Sequence, residues 1–166
     1  RIEETINKTR AKAEELAPKL YRENDIYYIG RQIPYAVSME GALKMKEISY
    51  IHSEAYAAGE LKHGTISLIE EGTPVIAIAE SGNIFPKTMS NLSEVKARGA
   101  KTILITDDEN LRNSDADEFI VVSKTHPLLF ASVSVIPCQL LGYYVAKLRG
   151  CDIDKPKNLA KSVTVE

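Results

Sequence analysis

The run Thr73-Pro74-Val75-Ile76-Ala77-Ile78-Ala79 constrains the fold of this chain more than any other segment. It is apolar throughout rather than alternating, so a strand made from it needs cover on both faces. Residues 25–30 (DIYYIG), 101–106 (KTILIT) and 118–123 (EFIVVS) have the same character. Between these segments lie stretches with helical signals. Residues 1–23 carry Ile2, Ile6, Ala13, Leu16 and Leu20 near helical spacing, with Pro18 expected to bend or break the helix late. Residues 34–49 open on a proline, whose fixed φ suits a first helical turn. Residues 87–98 stop at Gly99, and residues 127–149 stop at Gly150 with a kink expected near Pro137. Residues 50–54 form a further short strand. Residues 55–69 are helical in part and broken by Gly59 and Gly64.

Strands alternating with helices predict an α/β fold. The expected form is a three-layer αβα sandwich around a doubly wound parallel sheet of four or five strands, with right-handed crossovers. Ligands in such sheets bind beyond the C-terminal strand ends. Residues 30–32 and 80–83 are expected there. Ser81-Gly82, with Thr88 nearby, is either a crude anion nest or a plain turn between strand and helix.

A chain of 166 residues favours one domain, and its 44% hydrophobic and 27% charged content fits a soluble globule. A net charge of −2 gives no nucleic-acid footprint. Basic residues do gather late (Lys147, Arg149, Lys155, Lys157, Lys161), as a solvated tail or as an attractor for a small anion. The two cysteines make no disulfide framework and no metal spacing, which fits a cytoplasmic setting. The first residues lack the apolar core of a signal peptide. Residues 127–146 carry no charge and approach bilayer-spanning length, but two prolines, a glutamine and a glycine favour a soluble core helix.

Three places hold reactive residue types. On the helix of residues 34–49, Glu40, Lys44 and Glu47 fall within an arc of about 60°. That face is either a solvated salt-bridge ladder or a general base beside a lysine that fixes its charge state or a substrate oxygen. His63 lies in a polar, glycine-ended stretch and is expected to be exposed; its ordinary pKa near 6.5 suits proton shuttling. Lys161 stands between Ala160 and Ser162. It is either part of a loose tail or an imine-forming amine, which must lose its proton to attack a carbonyl.

Residues 40–52 (EGALKMKEISYIH), 54–64 (EAYAAGELKHG) and 158–166 (NLAKSVTVE) together resemble the C-terminal sugar-isomerase (SIS) domain of the glutamine–fructose-6-phosphate aminotransferases. The likeness covers essentially the whole chain. It implies a SIS domain over residues 1–149 and a catalytic tail over residues 150–166. It implies that Lys161 forms an imine with the C2 carbonyl of fructose 6-phosphate, that Glu47 moves a proton between C1 and C2, and that His63 assists ring opening from a neighbouring subunit. Glu40 and Lys44 then support the isomerisation, and the backbone of Ala160 lies against the sugar. No metal or organic cofactor is implied. The expected partners are a sugar-phosphate substrate, a second copy in a homodimer, and the glutaminase and first SIS domains, which this sequence lacks; no nucleic acid or membrane is expected. Thr65 departs from the proline expected after His63-Gly64. A non-catalytic phosphosugar-sensing SIS module and a phosphosugar deglycase are the alternatives. The isolated domain is expected to be inactive in the overall reaction.

Overall fold

A computed structural model of the chain describes residues 1–110 and 114–159. Lys161 and Ala160 lie outside the described residues. The elements run α1 (Ile2–Leu20), β1 (Asp25–Gly30), α2 (Ile33–Ser49), β2 (His52–Ala57), β3 (Pro74–Ala79), α3 (Phe85–Lys96), β4 (Lys101–Thr106), β5 (Glu118–Val121) and α4 (Phe130–Leu148). Two 3₁₀ helices, Ala58–His63 and Thr65–Leu68, connect β2 to β3, and a third, Pro127–Leu129, leads into α4. The five strands are all parallel, in the order β2-β1-β3-β4-β5.

Every residue of β3 is buried, as its unbroken apolar run requires. Its side chains feed two cores. On one face, Ile76 and Ile78 meet Leu16 and Leu20 of α1, Val37, Ala42 and Met45 of α2, and Phe130, Leu141 and Val145 of α4. On the other, Val75, Ala77 and Ala79 meet Leu92 and Val95 of α3 together with Ala58 and Leu61 of the first 3₁₀ helix. This is the expected three-layer sandwich. The segment Pro127–Leu148 is long and apolar enough to cross a membrane by length and composition, and half of it is buried inside the protein. It packs on α1 and α2 as a core helix.

Three local expectations are revised. The helix α1 continues through Pro18, and its inward stripe starts later than expected. Ile2 is exposed, whereas Thr5 and Thr9 are buried. The Thr9 hydroxyl donates to the Thr5 carbonyl at 2.7 Å, and the Thr5 hydroxyl accepts from the Ser123 amide at 3.4 Å, so these polar side chains are satisfied within the core. The second strand begins at His52 rather than at residue 50, because Tyr50 caps α2 in the left-handed region (φ 60, ψ 20). The last helix becomes α-helical only at Phe130, after the single 3₁₀ turn of Pro127–Leu129.

Candidate functional site

The sheet order reverses between β1 and β3, and a cavity of about 480 Å³ opens beyond their C-terminal ends. Arg31 and Gln32 line it from the first strand; Glu80, Ser81 and Asn83 line it from the third. Arg31 crosses beside Gly59, where a Cβ would come within 2.9 Å of its Nη2. Its Nε and Nη2 donate to Asn91 Oδ1 at 3.1 and 2.9 Å. The Ser81 amide, which a phosphate nest would use, already donates to Asp107 Oδ1 at 2.7 Å. Burial, and then repulsion from Asp107, raise the pKa of Glu80. Two carboxylates and a committed amide make this loop a strand-to-helix turn rather than an anion cradle.

A second constellation lies on α2. Its inner face (Val37, Gly41, Ala42, Met45) is buried, which leaves Glu40, Lys44 and Glu47 together on the partly exposed side. Lys44 Nζ lies 2.5 Å from Glu47 Oε2 and 3.7 Å from Glu40 Oε1. The hydrogen bond to Glu47 raises the lysine's pKa above its ordinary value; burial opposes this and the nearby charges of Glu47 and Glu40 add to it. The lysine therefore stays cationic and fixes the orientation of the Glu47 carboxylate, whose side chain is 24% exposed. A carboxylate so held can accept a carbon-bound proton from a ligand at this face.

His63 does not join that group. It ends the 3₁₀ helix Ala58–His63, which packs into the core on the opposite side of the sheet from α2. Its side chain is 74% exposed, and its Nε2 lies 3.8 Å from Glu60 Oε2. The described part of the tail does return to α2. Cys151 Sγ contacts the Ser49 carbonyl at 3.9 Å, and the Lys157 amide donates to the Tyr50 hydroxyl at 2.8 Å. Among the described residues, no group of three or more His, Cys, Asp or Glu side chains is arranged to hold a metal ion. Cys138 and Cys151 are both free thiols. Sequence reasoning passed over Tyr50, Asn91 and Asp107. Their partners stand 107, 60 and 26 residues away, so no local pattern announces them.

A five-stranded parallel sheet with this order, and a cleft at its reversal point, is a doubly wound α/β fold of the kind that takes ligands at that point. The chain belongs to the SIS domain family, whose model matches residues 19–149, and it is a SIS domain of the glutamine–fructose-6-phosphate aminotransferase type. It is 56% identical over 153 residues to the isomerizing glutamine–fructose-6-phosphate aminotransferase of Clostridium tetani, covering 91% of this chain and 25% of that protein. It is 52% identical over 155 residues to the protein of the same name from Sphingobium yanoikuyae, covering 92% of this chain and 99% of that one. The C-terminal domain of glucosamine-fructose-6-phosphate aminotransferase from Francisella tularensis superimposes with a TM-score of 0.87 at 36% identity, over 93% of this chain and 43% of that chain. The chain thus spans about a quarter of the length of the C. tetani relative.

Proposed function

We propose that this chain is the isomerase-half domain of a longer cytoplasmic polypeptide that makes glucosamine 6-phosphate from fructose 6-phosphate and glutamine-derived ammonia. The neutral amine of Lys161 adds to the C2 carbonyl of the open-chain sugar and expels water, leaving an imine. Ammonia adds in turn and releases the lysine. Glu47 then takes a proton from C1 and returns one to C2. The C1 hydroxyl gives up its proton as its carbon becomes the aldehyde, the imine nitrogen gains one, and C2 becomes the amine-bearing carbon. Lys44 and Glu40 support the isomerisation through charge and positioning.

His63 serves ring opening in the site of a second copy, because within one chain it stands across the sheet from Glu47. The backbone at Ala160 lines the sugar. Ammonia release and the main phosphate contacts belong to the glutaminase and first SIS domains of the same polypeptide. The committed amide of Ser81 supports assigning the phosphate elsewhere.

One observation carries this reading: Lys44 and Glu47 are paired at 2.5 Å on the helix whose end receives the tail leading to Lys161. The test is borohydride reduction of the full-length polypeptide with fructose 6-phosphate, followed by peptide mapping. A sugar adduct on Lys161 is expected. Reduction that leaves Lys161 unmodified while the enzyme turns over sinks the imine mechanism.

A further inference from the structure

The geometry points to a positioning network, Arg31–Asn91–Glu94–Lys62, that holds the 3₁₀ helix Ala58–His63 at both ends and so fixes where His63 is presented. This role rests on the ring-opening reading of His63 above.

A 3₁₀ helix of six residues has poor hydrogen-bond geometry and little stability of its own, so its direction is set from outside. Inward, Ala58 and Leu61 are buried in the core shared with α3. Outward, Glu60 and His63 are 73% and 74% exposed. Two small apolar anchors leave such an element free to slide and rotate, because the hydrophobic contact is non-directional. Directional ties come from the polar side chains at its two ends.

At the start, the Arg31 guanidinium occupies the space that any side chain at residue 59 would take. A Cβ on Gly59 would meet its Nη2, Nη1 and Cζ at 2.9, 3.0 and 3.1 Å. At the end, Lys62 Nζ pairs with Glu94 Oε1 at 2.8 Å, directly before His63. Gly64 then turns the chain away with a φ of 148°.

The two ties meet on α3. Asn91 Oδ1 accepts from Arg31 Nε and Nη2, and Asn91 Nδ2 donates to Glu94 Oε2 at 3.4 Å. Asn91 is only 6% exposed, so these protein partners take the place of water. The hydrogen bond from Lys62 lowers the pKa of Glu94 against the opposing effect of burial, and the bond from Asn91 adds to it. The carboxylate that holds Lys62 is therefore charged throughout the neutral range.

The test follows glutamine-dependent formation of glucosamine 6-phosphate by the full-length polypeptide, as a double-mutant cycle with His63→Asn. Asn91→Leu cuts both ties at their junction and should lower kcat/KM about tenfold. Lys62→Met cuts one tie at a side chain 63% exposed and should lower it up to about fivefold. Lys62→Arg, which keeps a cation for Glu94, should recover most of that loss. In the His63→Asn background neither substitution should lower kcat/KM by more than about a further twofold. A general loss of packing would carry through that background undiminished. Additive losses, or parent-like rates in Asn91→Leu and Lys62→Met, overturn the network while the reading of His63 stands. A His63→Asn enzyme as fast as the parent overturns the ring-opening reading, and the positioning role with it. Amide exchange over residues 58–63, read by mass spectrometry, should accelerate in Lys62→Met by up to about fivefold. Unaltered exchange there overturns the network however the rates fall. Thermal midpoints are measured alongside, and Lys62→Met carries the test where Asn91→Leu does not fold.

Discussion

The junction between β1 and α2 positions both the cleft and the Glu40–Lys44–Glu47 face, and Gly30→Ala tests how tightly it is built. A Cβ at Gly30 would lie 2.6 Å from the carbonyl carbon and oxygen of Pro34 and 2.7 Å from the Tyr35 nitrogen. All three are backbone atoms of the first turn of α2, so no rotamer change relieves the overlap. Ordinary contact distances require the helix to retreat by roughly 0.8 Å or more. Gly30 does not have a positive φ, so alanine carries no backbone strain of its own, and the steric term dominates. Overpacking a well-filled core costs about 1–3 kcal/mol, and backbone-to-backbone overlap belongs at the upper end. At about 2–4 °C per kcal/mol for a chain of this size, the thermal midpoint should fall by about 5–10 °C. Gly142→Ala is the control. Its Cβ would meet Ile48 Cδ1 at 3.3 Å, the far end of a flexible side chain. It also gains about 1 kcal/mol of helix propensity within α4, so its midpoint should hold or rise. Calorimetry of the two variants decides the matter. A Gly30→Ala midpoint within 1 °C of the parent (roughly the noise of a measurement whose expected signal is several degrees) refutes the account of the junction.

Three further outcomes are expected. Lys44→Met should cost about 0.5 kcal/mol near neutral pH by denaturant titration. The folded pKa of Lys44 is raised by its hydrogen bond to Glu47, so the stability it contributes is complete below the unfolded value near 10.4 and is lost as pH rises through the folded one. The variant should therefore show less alkaline destabilisation than the parent, and equal alkaline limbs would contradict the pairing. Glu118 behaves oppositely: hydrogen bonds from Lys12 and then Lys19 lower its pKa against the opposing effect of burial. Its contribution of about 1 kcal/mol is present above an unfolded value near 4.3 and is lost as pH falls through the folded one. Glu118→Gln should be destabilised at neutral pH and nearly level with the parent at pH 3, as followed by circular dichroism. Finally, burial pushes the Cys138 thiol up to about 12, so a thiol reagent at pH 8 should label Cys151 in the native protein and reach Cys138 only after unfolding. Rapid native labelling of both would show that the core opens readily around α4.

What the chain disclosed in advance follows the range of the interactions involved. The third and fourth strands are buried almost throughout, so their apolar runs announce them without reference to any partner. The second strand lies at the sheet edge with a mixed pattern, and its start was displaced because Tyr50 ends the preceding helix where no glycine or asparagine gives the signal. The Glu40–Lys44–Glu47 face was legible because three- and four-residue spacings dictate it. The same contact at 2.5 Å serves a solvated ladder and a held catalytic base equally well, so helix geometry does not separate the two. A contact beyond the reach of such spacings comes from 107 residues downstream, where Lys157 binds the residue that caps this helix. Tyr50 ends the helix in the left-handed region and its hydroxyl accepts that amide, a pairing that no local spacing specifies.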